Sequence, residues 1–199
     1  MTAAAIVPIR NPAHRAILLI VAIFLLPFAL AFGLYWFEWR PATLGNHGEL
    51  VQPPRALPES GLRHADGRPL PTADLRGKWL LVQAGEGSCA INCRRDLQQM
   101  RQVQVALNKE MGRLSRVLMA GDPADPALTD LQRSYPDLLI AAPSRGQAGD
   151  AWRKALDGTN YRFYVVDPLG NVMMRYTENA DPQGMRQDLE RLLKYSWVG

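Results

Sequence analysis

Two cysteines, Cys89 and Cys93, are the residues of this sequence whose type and spacing propose chemistry; they frame the stretch Cys89-Ala90-Ile91-Asn92-Cys93. Residues four apart on a helix share one face, with Cα atoms about 6 Å apart. That separation falls inside the ~4.4–6.8 Å window of a disulfide. Once reduced, the same two sulfurs can converge on a soft ion such as Cu(I). A purely structural bridge is the alternative, although closing so short a loop yields little chain-entropy stabilisation. A zinc site is disfavoured, because no second Cys pair or His pair supplies further ligands. The pair follows Gly85-Glu86-Gly87-Ser88 and opens a helical pattern. There the unpaired N–H groups and the positive end of the helix dipole favour a thiolate at Cys89, with Arg94 and Arg95 adding positive charge. Cys89, nearer the helix start, is the expected attacking thiol, and Cys93 the resolving one.

The other candidates are weaker. Glu86 is a possible proton acceptor beside Cys89. His47 and His64 are lone histidines that could reach a metal only with help from elsewhere. Met173-Met174 offers thioethers, which suit Cu(I); in a strand the two point to opposite faces, so at least one is expected in the core. Asp122, Asp125 and Asp130 stand among prolines and read as turn and cap residues. No Ser-His-Asp set, paired carboxylates or phosphate-cradling loop is present.

Strands and helices alternate around the pair. Trp79–Ala84 is an apolar run of strand length, placed just before the cysteines. From Cys89 to Met111, apolar residues Leu97, Met100, Val103, Leu107 and Met111 recur at three- or four-residue steps and predict a helix. Leu114–Ala120 predicts a second buried strand, Pro126–Tyr135 a helix, Leu138–Ile140 a short strand and Gly149–Leu156 a further helix. Tyr161–Val166 and Val172–Thr177 flank Asp167-Pro168-Leu169-Gly170-Asn171, a hairpin turn. Asp181-Pro182 caps a last helix carried by Met185, Leu189, Leu192 and Leu193. The pattern predicts an α/β domain of three layers on a mixed sheet, thioredoxin-like in order.

Ahead of this domain, Ala16–Phe37 is an uncharged apolar run, about 33 Å long as a helix and so able to cross a ~30 Å hydrocarbon core. Tyr35, Trp36 and Trp39 sit where amphipathic rings prefer the membrane interface. Arg10, His14 and Arg15 precede the run, which places residues 1–15 in the cytoplasm and the remainder in the periplasm of a bacterial inner membrane. A signal peptide cut after Ala31 is the rival reading. Residues 38–60, with Pro41, Pro53, Pro54 and Pro58, read as a Pro-rich linker, leaving 61–199 as the domain.

Composition narrows the function classes. With 47% apolar residues and a net charge of +4, the chain has enough core material to exclude global disorder. Its arginines are scattered rather than clustered, so no nucleic-acid interface is indicated.

Taken together, these residues resemble the Sco/SenC family of membrane-anchored, thioredoxin-like proteins of cytochrome c oxidase assembly. The resemblance rests on Leu75-Arg-Gly-Lys-Trp-Leu-Leu-Val82, on the three-residue spacer of Cys89-x-x-x-Cys93, and on Tyr164-Val-Val-Asp-Pro-Leu-Gly-Asn-Val172. It implies bilayer attachment through 16–37, a partner that is an oxidase subunit or another assembly factor, and cysteines that hold Cu(I) or exchange disulfides. Two features depart from the family. The spacer is Ala-Ile-Asn with Arg94 after the second cysteine. No histidine follows His64, so Asp157–Tyr161, where the family's distal ligand falls, leaves a three-ligand copper site incomplete. A general membrane-tethered thiol-disulfide oxidoreductase and a non-catalytic oxidase-binding factor are the competing functions.

Overall fold

The computed structural model describes residues 12–37, 45–84, 87–122, 124–156 and 162–197, in two compact units, 1–44 and 45–199. In the first unit, helix α1 (Pro12–Trp36) runs for 25 residues with Pro27 inside it. His14–Trp36 is long and apolar enough to cross a membrane. Phe24, Phe28 and Phe32 are all exposed. Trp39 and Arg10 lie outside the described residues.

The second unit contains β1 (Glu49–Ala56), β2 (Leu62–His64), β3 (Pro69–Leu70), β4 (Trp79–Ala84), α2 (Ile91–Ala106), β5 (Leu114–Met119), α3 (Ala127–Ser134), β6 (Leu138–Pro143), α4 (Gln147–Ala155), β7 (Phe163–Val166), β8 (Asn171–Tyr176) and α5 (Pro182–Tyr195). Among the described residues eight strands form one sheet in the order β1-β8-β7-β4-β5-β6-β2-β3. Its centre, β4-β5-β6, is parallel, and every other pairing is antiparallel. Side chains alternate across β4: Leu81 joins a core beneath α2, α3 and α5, while Leu80 and Val82 join a second core with Trp152 of α4. The result is the expected three-layer α/β arrangement on a mixed sheet.

The predicted turn chemistry is present. Asp167 Oδ1 accepts from the N–H groups of Leu169 and Asn171, at 3.0 and 2.7 Å, and shapes the β7–β8 hairpin. Asp181 accepts from the N–H groups of Gln183 and Gly184 at the start of α5.

Two expectations need correction. Residues 45–60, read as part of a linker, belong to the folded unit. Within them β1 pairs antiparallel with β8, through Glu49↔Arg175 and Ala56↔Asn171, as the edge strand of the sheet. Pro53 and Pro54 fit this strand because an edge strand tolerates prolines where its outer N–H groups have no ladder partner, and the register shifts between Leu50 and Arg55. The helix predicted from Cys89 to Met111 is also shorter. It begins at Ile91 and ends at Ala106, a 3-10 segment follows over Asn108–Arg113, and Met111 is exposed.

Candidate functional site

β4 delivers the chain to the C-terminal edge of the parallel strands, where open α/β sheets place their ligand crevices. Beyond it Cys89 and Cys93 are joined in a disulfide with Cα atoms 5.1 Å apart. The two do not share a helix, as the spacing alone suggested. Ala90 is extended (φ −79°, ψ −164°) and forms the N-cap of α2, so Cys89 stands in the loop and Cys93 in the first turn. Both are buried, at 8% and 5% exposure, so a partner reaches the sulfurs only at close contact.

Two loops hold this geometry. The N–H of Cys89 donates to Asp125 Oδ2 at 2.6 Å, and Asp125 Oδ1 accepts from Ala127 N at the start of α3. The N–H of Asp122 donates to the carbonyl of Gly87 at 3.2 Å. Asp125 is thus a cap residue, as its surroundings suggested, and also the anchor of Cys89. At the head of α2 no side chain caps the N-terminus and no acid stands in the first turn. The positive end of the helix therefore faces the sulfurs uncompensated by its own first turn.

Beneath Cys93 lies a polar group that sequence reasoning missed. Asp96, one helical turn on and 2% exposed, accepts from Arg162 Nε at 3.0 Å and from Gln83 Nε2 at 3.3 Å. Arg95 Nε lies 3.8 Å from its other oxygen. Arg162 is fixed just ahead of β7, its N–H donating to the carbonyl of Tyr176 and its carbonyl accepting from Ala84 N. A cleft of about 190 Å³ opens beside the disulfide, lined by Ser88, Cys89, Cys93, Leu118, Leu128 and Arg162 among others. The sequence signal for Asp96 was an acid on the buried stripe of α2, among Cys93, Leu97 and Met100.

The remaining candidates disperse. His47 meets Asp188 of α5, its Nδ1 3.4 Å from Oδ1. His64 lies in β2 opposite Ala141. Met174 is core and Met173 packs partly buried against the same core. Glu86 and Asp157–Tyr161 lie outside the described residues. Among the described residues no three His, Cys, Asp or Glu side chains converge to hold a metal. Among the described residues the soft donors at this site are the two sulfurs, which suit a soft ion.

Residues 79–196 match the family model described as transmembrane-like, thioredoxin-like, C-terminal domain, over more than half of the chain. The chain belongs to this family. No curated protein matches the chain in sequence. Among solved structures, this family member resembles copper-bound Sco1 of yeast at 21% identity and a TM-score of 0.58, covering 73% of this chain and 96% of the other. Copper-bound ScoI of Arabidopsis thaliana matches at 18% identity and a TM-score of 0.58, covering 71% and 99%. BsSco, a Sco-family cytochrome c oxidase assembly protein with a disulfide switch, matches at 17% identity and a TM-score of 0.55, covering 74% and 100%. At these identities the likeness establishes the fold: a thioredoxin-like domain of the kind Sco proteins have.

Proposed function

We propose that this chain is a membrane-anchored, periplasm-facing, Sco-like accessory protein of cytochrome c oxidase assembly that exchanges disulfides through Cys89 and Cys93. The observation that carries the reading is the oxidised pair at the head of α2, beside a cleft, on a fold shared with oxidase-assembly proteins. α1 is the anchor, and the basic residues ahead of its apolar run, Ala16–Phe37, set the orientation.

In the reducing direction the Cys89 thiolate attacks one sulfur of a partner's disulfide and expels the other as a thiolate. Cys93, deprotonated to water, then attacks the Cys89 sulfur, re-forms the intramolecular bond and releases the partner's second thiolate. The cysteine pair gives up two electrons to the partner's disulfide, and the partner's two thiolates take up their protons from water. Cu(I) enters this reading as cargo, taken by the two reduced sulfurs and passed on to a site with more ligands.

The test uses the full chain in detergent beside its Cys89→Ser/Cys93→Ser variant. The chain is equilibrated in glutathione buffers of graded potential, with the disulfide fraction read by thiol alkylation. The reduced, anaerobic protein is then titrated with Cu(I) against a competing chelator. Reversible oxidation of the pair supports exchange, and one-to-one Cu(I) binding lost in the variant adds the cargo role. A pair that stays oxidised at every buffer ratio would make the bridge structural and sink the reading.

A further inference from the structure

We infer that the cleft beside the disulfide is a recognition site for an anionic group, a carboxylate carried close to the disulfide of the substrate, with Arg162 as the residue that binds it. The inference deepens the thiol-exchange reading and rests on it.

Among the described residues that line the cleft, in company with both cysteines, Arg162 is the cation. Its side chain is 21% exposed, so it is reachable yet shielded from bulk water. Its Nε is committed to Asp96 Oδ2 at 3.0 Å, whereas its two terminal nitrogens have no partner among the described residues. A guanidinium held at Nε keeps the outer edge of its planar fork free, and that edge pairs with carboxylates. The clamp is itself rigid. Asp96 is almost wholly buried and also takes Gln83 Nε2, and the Arg162 backbone is bonded to β4 and β8 on either side. Arg162 is thus preorganised before any ligand arrives, which lowers the ordering cost of binding.

The nearby charges favour the same sign. Arg94 and Arg95 lie exposed on the first turns of α2. Of the described acids near the cleft, Asp96 is paired with Arg162, Asp125 has both oxygens occupied by backbone N–H groups, and Asp122 Oδ1 accepts from the N–H of Ala124. A substrate carboxylate on Arg162 would hold the substrate sulfur against Cys89 while the exchange proceeds. Asp96 touches no substrate; it is a positioning residue.

Disulfides that differ in charge provide the test. The reduced full chain in detergent is mixed in stopped flow with oxidised glutathione, which carries carboxylates, and separately with cystamine, which is cationic. Comparing each variant with wild type on the same probe cancels the differing reactivity of the two disulfides. Arg162→Gln should slow the reaction with oxidised glutathione about tenfold, the loss of one hydrogen bond to a charged group. Its rate with cystamine should hold or rise. Arg162→Lys should recover part of the preference, and Asp96→Asn should weaken it without altering the charge of Arg162. Equal slowing of both probes in Arg162→Gln would make Arg162 merely structural and overturn the inference, as would no slowing of either. A wild-type chain that reacts with neither probe would defeat the thiol-exchange reading itself, and this inference with it.

Discussion

The backbone N–H of Cys89 donates to Asp125 Oδ2 over 2.6 Å, joining the loop after β4 to the loop after β5. A short bond to a carboxylate fixes where the first sulfur stands before the helix begins, and the other oxygen of the same carboxylate accepts from Ala127 N at the start of α3. Asp125→Ala removes both at once. We expect a loss of about 1–2 kcal/mol in urea unfolding at an unchanged m-value, the usual cost of a lost helix cap. The variant should also reduce more readily in glutathione buffers, because Cys89 is less constrained. Unchanged stability would show that solvent replaces the carboxylate at no cost.

Cys89 stands in the loop and Cys93 in the first turn of α2, which gives the two sulfurs different roles. Cys93→Ser leaves an attacking thiol with nothing to resolve the mixed disulfide, so non-reducing gels of cross-linked membranes should show a trapped higher-mass species. Cys89→Ser should show none. The reverse pattern would exchange the roles of the two cysteines and leave the chemistry intact.

Arg116 of β5 is a buried cation. Its Nε donates to Gln104 Oε1 at 2.8 Å, its Nη2 to Asp137 Oδ2 at 2.7 Å, and its guanidinium stacks 5.6 Å from the Tyr135 ring centroid. The hydrogen bond from Arg116 holds the Asp137 carboxyl below the usual carboxylate range. A lowered folded-state pKa gives stability that is present above the unfolded value and lost as pH falls through the folded one. Asp137→Asn should therefore cost little at neutral pH, about 1 kcal/mol or less because the carboxylate is largely solvated. The difference from wild type should begin to shrink below about pH 4, the unfolded carboxyl pKa, and vanish once pH has fallen through the lowered folded-state value. Thermal unfolding from pH 7 to pH 2 measures it; a difference that persists at pH 2 would mean the Asn perturbs packing instead.

What could be read from the sequence, and what could not, divides by range. The β4 and β5 runs, the Asp167–Asn171 turn and the Asp181 cap announce themselves, because their causes are local: apolar strand-length segments, a Gly at the turn, a carboxylate before a proline. Cys89 and Cys93 are legible for the same reason. β1 is not, since an exposed edge strand with two prolines has neither the alternation nor the apolar content that marks a strand. The Asp96–Arg162 clamp joins residues 66 apart in the chain, and the Cys89–Asp125 bond joins residues 36 apart. Such pairs leave no periodic trace; only the sheet order that brings β7 beside β4 and β4 beside β5 creates them.

The same logic governs the far end of β8, where Asp188 of α5 gathers three donors: Tyr176 Oη at 3.0 Å and the N–H groups of His47 and Gly48 at 2.9 and 2.8 Å. The approach is close enough that glycine is required on both sides. A Cβ at Gly48 would stand 2.5 Å from the Tyr176 ring, and one at Gly184 would stand 2.6 Å from the His47 ring. Burial, and then the Asp188 charge that accepts its proton, push the Tyr176 hydroxyl far above the ordinary phenol range. A raised folded-state pKa gives stability that is intact below the unfolded value, about 10, and is lost as pH rises toward the folded one. Above about pH 10 the wild type should lose up to about 1.4 kcal/mol per pH unit from this phenol alone, because the unfolded chain ionises it and the folded chain does not. Tyr176→Phe should cost about 1 kcal/mol at pH 7, since Asp188 keeps its two backbone donors. The variant should then lack this alkaline dependence, so that the two stability curves converge and cross as pH rises. Urea unfolding at pH 7, 10 and 11 reads both effects. Parallel curves would show that Tyr176 ionises equally in both states, and that the hydroxyl is less sealed beneath the His47–Gly48 segment than its burial implies.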